Sequence, residues 1–256
     1  MHDAERPLAE EVWRRAKGRR LLLLLDFDGT LCEFQADPQA VRLPESRRSI
    51  LERLQQRATV GIVSGRRLAD VRERCELNGL IVAGLHGLEI DGLGESYVHP
   101  DLDATGSAIA GIATGLRARA EGIPGVFVED KGLSVALHFR EAAPGDQRTA
   151  VELFTAVSAP FIESGRLRVM RGSFVLELLP NIDWNKGDAV RWITEHVCRR
   201  EGETFVVYIG DDVTDQDAFA AVEGDGLPIA ASDRVNAHTR LDGPAGVERF
   251  LAALIR

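Results

Sequence analysis

Apolar runs alternate with helical periodicity along most of this chain. Residues 21–25 are five consecutive leucines ending at Asp26, and so continuous a run predicts a strand buried on both faces. Before it, the segment up to Arg20 reads as a helix with Leu8, Val12 and Trp13 on one face. After it, 44–58 reads as a helix with Pro44 near its first turn and Ile50, Leu51 and Leu54 on one side. A second strand is expected at 59–63, a helix at 68–75 and a third strand at 80–83. The alternation resumes past residue 180, with a helix at 185–199, a strand at 204–209 and a short helix at 215–222. An apolar segment at 227–231 and a helix at 247–255 close the chain. Strand and helix in this order imply parallel strands joined by crossovers.

Between these blocks the texture changes. Helix-like 104–120 and 147–157 interleave with short segments at 126–129, 134–140, 167–170 and 174–178, in which apolar and polar residues alternate. That pattern predicts a small antiparallel sheet carrying helices on one face. The expected architecture is α/β: a Rossmann-like parallel-sheet core formed by 1–100 and 181–256, with an inserted α+β domain at 101–180.

Composition narrows the function classes. The chain has 256 residues, 45% hydrophobic and 28% charged, an ordinary globular balance. Net charge is −9, which disfavours nucleic acid and anionic membranes as partners. No apolar run approaches the roughly 20 residues needed to cross a bilayer, and five leucines are too few for a signal-peptide core. Three cysteines (Cys32, Cys75, Cys198) without metal spacing suggest reduced thiols and a cytoplasmic location. Of the basic residues, 28 are arginine and three are lysine (Lys17, Lys131, Lys186), so each lysine invites a question.

In an open parallel sheet, ligands bind beyond the carboxyl ends of the strands. Here the first strand ends in Asp26, Asp28 and Thr30, the second in Ser64, and the strand after the insert in Asp211, Asp212 and Asp215. Lys186 opens the helix that follows the insert. Carboxylates converging on one edge repel unless a cation sits among them, and an all-oxygen set favours Mg²⁺. Taken singly, each piece has a plainer reading. Asp26-Phe27-Asp28-Gly29-Thr30 suits a turn, Ser64-Gly65-Arg66 a helix cap, and Asp211, Asp212 and Asp215 a helix N-terminus. Lys186 in a first helical turn opposes the helix dipole, which favours a functional role.

In their order along the chain, LLLLDFDGTL, VSGR, NKG and GDDVTD resemble the four motifs of the haloacid-dehalogenase-like (HAD) phosphohydrolases. GLHGLE, with VEDKGLSVALHFR in the insert, narrows the resemblance to the trehalose-6-phosphate phosphatases. The resemblance implies that Asp26 attacks phosphorus to give an aspartyl-phosphate. It implies that Asp28 protonates the leaving sugar oxygen and then deprotonates the hydrolytic water. Mg²⁺ would be held by the Asp26 carboxylate, the Asp28 carbonyl and Asp211, with Asp212 and Asp215 orienting that set. Ser64 and the backbone near Gly29, Gly65 and Arg66 would donate to phosphate oxygens, and Lys186 would supply a positive charge.

The insert would act as a cap that sets substrate specificity. Glu129, Lys131, His138, Arg140 and Glu177 would bind a phosphorylated disaccharide, with His86 and Glu89 nearby; a solvated sheet face and a core histidine are the plainer readings. The chain departs from the family pattern at Arg171-Gly172-Ser173, at Leu179 and at Gln216. A related glycosyl phosphate, a sugar phosphomutase and a non-enzymatic phospho-acceptor receiver therefore stay open as alternatives. Neither a G-x-x-x-x-G-K-[ST] loop nor a G-x-S-x-G elbow occurs, which sets aside P-loop kinases and serine hydrolases.

Overall fold

A computed structural model describes residues 5–35 and 37–255, with the side chains at 103–105 and 107 left aside. The chain divides into two compact units, Met1–Tyr97 with Trp184–Arg256, and Val98–Asp183. The first stretch contributes α1 (Arg6–Arg15), β1 (Arg20–Leu25), α2 (Glu45–Leu54), β2 (Thr59–Val63), α3 (Leu68–Cys75), β3 (Ile81–Gly84), β4 (Glu89–Asp91) and β5 (Tyr97–Val98). The second unit adds α4 (Asp103–Ala120), β6 (Phe127–Asp130), β7 (Val135–His138), α5 (Pro144–Glu163), β8 (Leu167–Gly172) and β9 (Val175–Pro180). The chain then returns with α6 (Lys186–Glu201), β10 (Thr204–Gly210), α7 (Gln216–Val222), β11 (Leu227–Ala230), β12 (Thr239–Arg240) and α8 (Gly243–Leu254).

The first unit is built on an eight-stranded sheet in the order β12-β11-β10-β1-β2-β3-β4-β5. From β12 to β3 the neighbours pair in parallel, and β4 then pairs antiparallel with β3. The leucines of β1 explain why this strand is apolar throughout. Leu21, Leu23 and Leu25 pack into a core that includes Val12, Leu51, Val71 and Phe250 from α1, α2, α3 and α8. Leu22 and Leu24 point the other way, into a second core with Ala189, Ile193 and Phe219 from α6 and α7. A period of two, with helices on both faces, requires an apolar residue at every position. Each leucine so buried stabilises the fold by roughly 2 kcal/mol.

The second unit carries a separate antiparallel sheet in the order β6-β7-β9-β8. Val128, Val135, Leu137, Leu176 and Leu178 face α4 and α5, where Ile109, Leu116 and Phe154 complete its core. Directly opposed residues share a face, so Glu129, Ala136, Glu177 and Met170 line up across the other side of the sheet. Among the described residues, no helix is long and apolar enough to cross a membrane.

The expected parallel core with an inserted α+β segment is the fold observed, with local corrections. The N-terminal helix ends at Arg15 rather than Arg20, because Gly18 (φ 84°) turns the chain and Arg20 already pairs as β1. The first four residues of that expected helix lie outside the described residues. The helix expected at 44–58 spans Glu45–Leu54, Pro44 serving as its N-cap. Strands β4, β5 and β12 were not anticipated, since pieces of two or three residues leave no periodic signal.

Candidate active site

Parallel register is what gathers the polar residues of the first unit. Leu25 pairs with Ile209 and with Ile62, and Gly210 pairs with Ala230, so the segments after β1, β2, β10 and β11 emerge at one edge. Asp26, immediately beyond β1, is buried and accepts a hydrogen bond at Oδ1 from Lys186 Nζ at 2.6 Å. The same ammonium, also buried, donates to Asp215 Oδ1 at 2.7 Å. Lys186 reaches this point because Asn185 caps α6, accepting from Gly187 N and Asp188 N, while Asp188 returns a bond to Asn185 N. This capping box fixes the helix start where a lysine in the first turn would otherwise weaken it.

Asp215 is saturated. Its Oδ1 accepts from Lys186 and from the Tyr208 hydroxyl (2.7 Å), and its Oδ2 accepts from the backbone N–H groups of Asp211 and Asp212, both at 2.9 Å. Its part is therefore to hold Lys186 and to shape the turn after β10. Asp211, fully buried, accepts from Thr30 Oγ1 at 3.0 Å and is ion-paired with Arg234. Gly29 (φ 88°) lies directly against the Asp211 carboxylate, where any side chain would collide with it. A glycine is needed there for both backbone conformation and space. Asp212 is exposed and accepts from Val213 N at 2.8 Å, capping the short turn that follows.

Burial pushes the Asp26 carboxyl well above its ordinary pKa, with Asp215 and Asp211 adding to the effect against the pull of Lys186. Burial likewise pushes Asp211 up, Asp215 and Asp212 reinforcing it while Thr30 and Arg234 oppose it. Burial disfavours the Lys186 ammonium, yet Asp26 and Asp215 outweigh it and hold its pKa above normal. The cluster is thus crowded with negative charge. Oxygens of Asp26, Asp211 and Asp215 lie within 4.8 Å of one another. With Asp215 occupied by four donors, Asp26 and Asp211 are the carboxylates placed to meet a cation, and this all-oxygen set fits a hard divalent ion.

Asp28 is half-buried and clamped by Arg66, whose Nε and Nη2 donate to its two carboxylate oxygens at 2.6 and 2.7 Å. Arg66 also meets Asp70 at 3.1 Å, and Asp70 in turn accepts from Arg74 at 2.8 Å. Sequence reading put Arg66 on the phosphate; the structure has its guanidinium on Asp28. Ser64 is buried, its Oγ accepting from Arg66 N at 3.1 Å. His86 N donates to Ser64 O at 2.8 Å, and a Cβ on Gly65 would fall 3.0 Å from the His86 ring. Leu85 and His86 both take left-handed conformations (φ 50° and 58°), which for non-glycine residues marks a place where geometry outranks local comfort. Glu89 accepts from Leu68 N at the start of α3 (3.1 Å) and faces Arg67 at 3.7 Å.

In the second unit the polar residues pair among themselves. Lys131 Nζ donates to Glu177 Oε2 at 3.0 Å, the buried Ser134 hydroxyl donates to Glu177 Oε1 at 2.5 Å, and His138 Nε2 meets Glu129 Oε2 at 2.9 Å. Arg140 donates to the carbonyl of Ser173 at 2.9 Å and lies over the Phe174 ring. Leu179 is buried. Two of the three lysines, Lys131 and Lys186, thus sit in ion pairs, and Lys17 is exposed. Sequence reading missed Tyr208, which lies inside an apolar strand, and Arg234, one arginine among 28.

Residues 24–240 match the trehalose-phosphatase family. The chain is 39% identical over 251 residues to a trehalose-phosphate phosphatase of Mycolicibacterium paratuberculosis, covering 93% of this chain and 62% of that protein. It is 38% identical over 266 residues to that of Mycobacterium ulcerans, covering 99% of this chain and 67% of that protein. The chain therefore spans about two thirds of the length of these curated relatives. Its fold is shared with a trehalose-6-phosphate phosphatase related protein (TM-score 0.79, 22% identity, 91% of this chain and 96% of that one). It is shared also with the trehalose-6-phosphate phosphatase C-terminal domain of C. albicans (0.75, 23%, 98% and 96%). A haloacid dehalogenase-like hydrolase of Bacteroides thetaiotaomicron matches at TM-score 0.61 and 16% identity, over 91% of this chain and 99% of that one. With the sequence match running through both units and the HAD-like fold in common, this chain belongs to the trehalose-phosphatase family.

Proposed function

We propose that this protein is a Mg²⁺-dependent phosphatase that hydrolyses trehalose 6-phosphate to trehalose and phosphate. The observation that carries the reading is the buried Lys186 ammonium bridging Asp26 and Asp215 beside Asp211, at the carboxyl edge of a parallel sheet. Asp26 is the nucleophile: its oxygen attacks phosphorus in line, and the bond from phosphorus to the sugar oxygen breaks. Asp28 gives that oxygen a proton. Asp28 then takes a proton from water, whose oxygen attacks the aspartyl-phosphate and releases phosphate with Asp26 restored. Arg66 fixes the direction of the Asp28 carboxylate through its two-point contact.

Asp26, the Asp28 carbonyl and Asp211 would hold Mg²⁺, which when bound screens the nucleophile from the phosphate's charge. Lys186 is aimed at both the nucleophile and its neighbours, and so offers positive charge to the transferring group. Ser64 and backbone N–H groups near Gly29 and Gly65 would receive phosphate oxygens. Glu129, Lys131, His138, Arg140 and Glu177, with His86 and Glu89, would supply the polar partners that a disaccharide needs, making the inserted unit the specificity domain. A reducing, cytoplasmic setting fits the free thiols of Cys32, Cys75 and Cys198.

The test is phosphate release from a panel of trehalose 6-phosphate, sucrose 6-phosphate, glucosylglycerol phosphate and glucose 6-phosphate. Release should be fastest with trehalose 6-phosphate, should stop with EDTA and should return with Mg²⁺. Preference for another member would correct the substrate alone. Failure to release phosphate from any of them would sink the enzymatic reading.

A further inference from the structure

Arg234 lies four residues beyond the end of β11, and nothing in the chemistry above uses it. Its backbone is tied to the candidate cation site. Ser232 Oγ donates to the carbonyl of Asp211 at 2.5 Å and accepts from Arg234 N at 3.1 Å, so the turn after β11 is pinned to the backbone of that aspartate. From this anchor the Arg234 side chain turns back and its guanidinium pairs with Asp211 Oδ2. The other oxygen of Asp211 is taken by Thr30. The carboxylate is 1% exposed, whereas Arg234 is 46% exposed, so a buried anion is met by a cation with open solvent on its other side. Beside it the Phe34 ring, 61% exposed, lies 5.1 Å beneath the guanidinium and forms a platform on which a displaced arginine can rest.

Two facts about charge follow. Lys186 serves Asp26 and Asp215, which leaves Asp211 to Arg234. A buried carboxylate stripped of its counter-charge is strongly destabilising, so without a metal ion the protein relies on Arg234 at this position. A divalent cation on Asp211 would stand within a few ångströms of the guanidinium, and like charges that close repel in a poorly screened site. Both cannot hold the same oxygen. Arg234, on its long and half-exposed stem, is the one free to leave.

We propose that Arg234 is a built-in stand-in for the metal ion: it neutralises Asp211 in the metal-free protein, swings off when a divalent cation binds, and thereby sets the affinity for that cation. The proposal rests on the assignment of Asp211 to the cation made above.

The experiment compares wild type with Arg234→Gln and Arg234→Lys by isothermal titration with MgCl₂ and by thermal unfolding with and without Mg²⁺. Losing the competing cation should tighten Mg²⁺ binding in Arg234→Gln by about fivefold, the order expected for removing a half-exposed ion pair. Arg234→Lys, which keeps the charge and loses the planar fork, should fall between the two. Without Mg²⁺, Arg234→Gln should melt below wild type, and saturating Mg²⁺ should close that gap by linkage. An arginine with a merely structural role would leave the gap open at saturation and the affinity unmoved, and either result overturns the proposal. Weaker binding in Arg234→Gln overturns it too. If wild type itself takes up no Mg²⁺, the assignment of Asp211 to the cation falls together with this inference, whereas normal wild-type binding and an unaltered variant remove this inference alone.

Discussion

At the edge of the large sheet, oxygens of three carboxylates crowd within 4.8 Å around one buried ammonium, whereas on the small sheet of the second unit each acid has its own base. Glu177 is matched by Lys131 and Glu129 by His138. The first arrangement is unbalanced and expensive, and a fold keeps such a cluster only where charge must act on something that arrives. The second is close to neutral, and its side chains keep hydrogen-bonding capacity suited to an uncharged polyol. Their supports differ in kind as well. The crowded acids stand on turns beyond strand ends, where backbone N–H groups and a capped helix aim them; the paired ones stand on strands, held by cross-strand register.

Substitutions can break that contrast, and the largest effect belongs to Asp26. Asp26→Asn should lower phosphate release at least about 10⁴-fold with the fold kept, as judged by circular dichroism and urea unfolding. Turnover near that of wild type would remove Asp26 as nucleophile. Lys186→Met leaves the buried carboxylates without their shared cation and should cost about 3–5 kcal/mol in urea unfolding, part of which added Mg²⁺ should restore. A loss below about 1 kcal/mol would show that the acids are not charged together. In the second unit, Glu177→Gln should raise KM for the sugar phosphate by about tenfold while changing kcat far less, because it weakens binding and leaves the bond-breaking groups alone. A fall in kcat with KM unmoved would erase the functional distinction between the two clusters.

The smallest effect concerns pH. Burial works against the Asp70 carboxylate, but Arg74 and Arg66 outweigh it and hold its pKa below the usual carboxylate range. A folded pKa below the unfolded one gives stability that is present above the unfolded value and lost as pH falls through the folded value. Unfolding midpoints should therefore decline below about pH 4, and Asp70→Asn should flatten that decline. An unchanged acid limb in the variant would remove Asp70, and with it the Arg74–Asp70–Arg66–Asp28 chain, as a source of acid sensitivity.

Much of this molecule was legible before any coordinates. Hydrophobic periodicity is a local quantity, so five leucines in a row announced a strand packed on both sides, and their alternation between two cores is that statement in three dimensions. The order of strands and helices implied a parallel sheet, and a parallel sheet brings its carboxyl ends to one edge; Asp26, Ser64, Lys186 and Asp211 could be grouped from this topology. Which acid meets which base was decided only by tertiary structure. Asp212 and Asp215 are equivalent as letters, yet one caps an exposed turn while the other is buried under four donors, because Tyr208 and Lys186 converge on it from distant parts of the chain. Arg66 and Arg234 were equally anonymous among 28 arginines, until the close approach of loops put one on Asp28 and the other on Asp211. Apolar burial reads from neighbours in sequence, whereas an ion pair depends on the few ångströms between segments that folding brings together, and no local pattern encodes that distance.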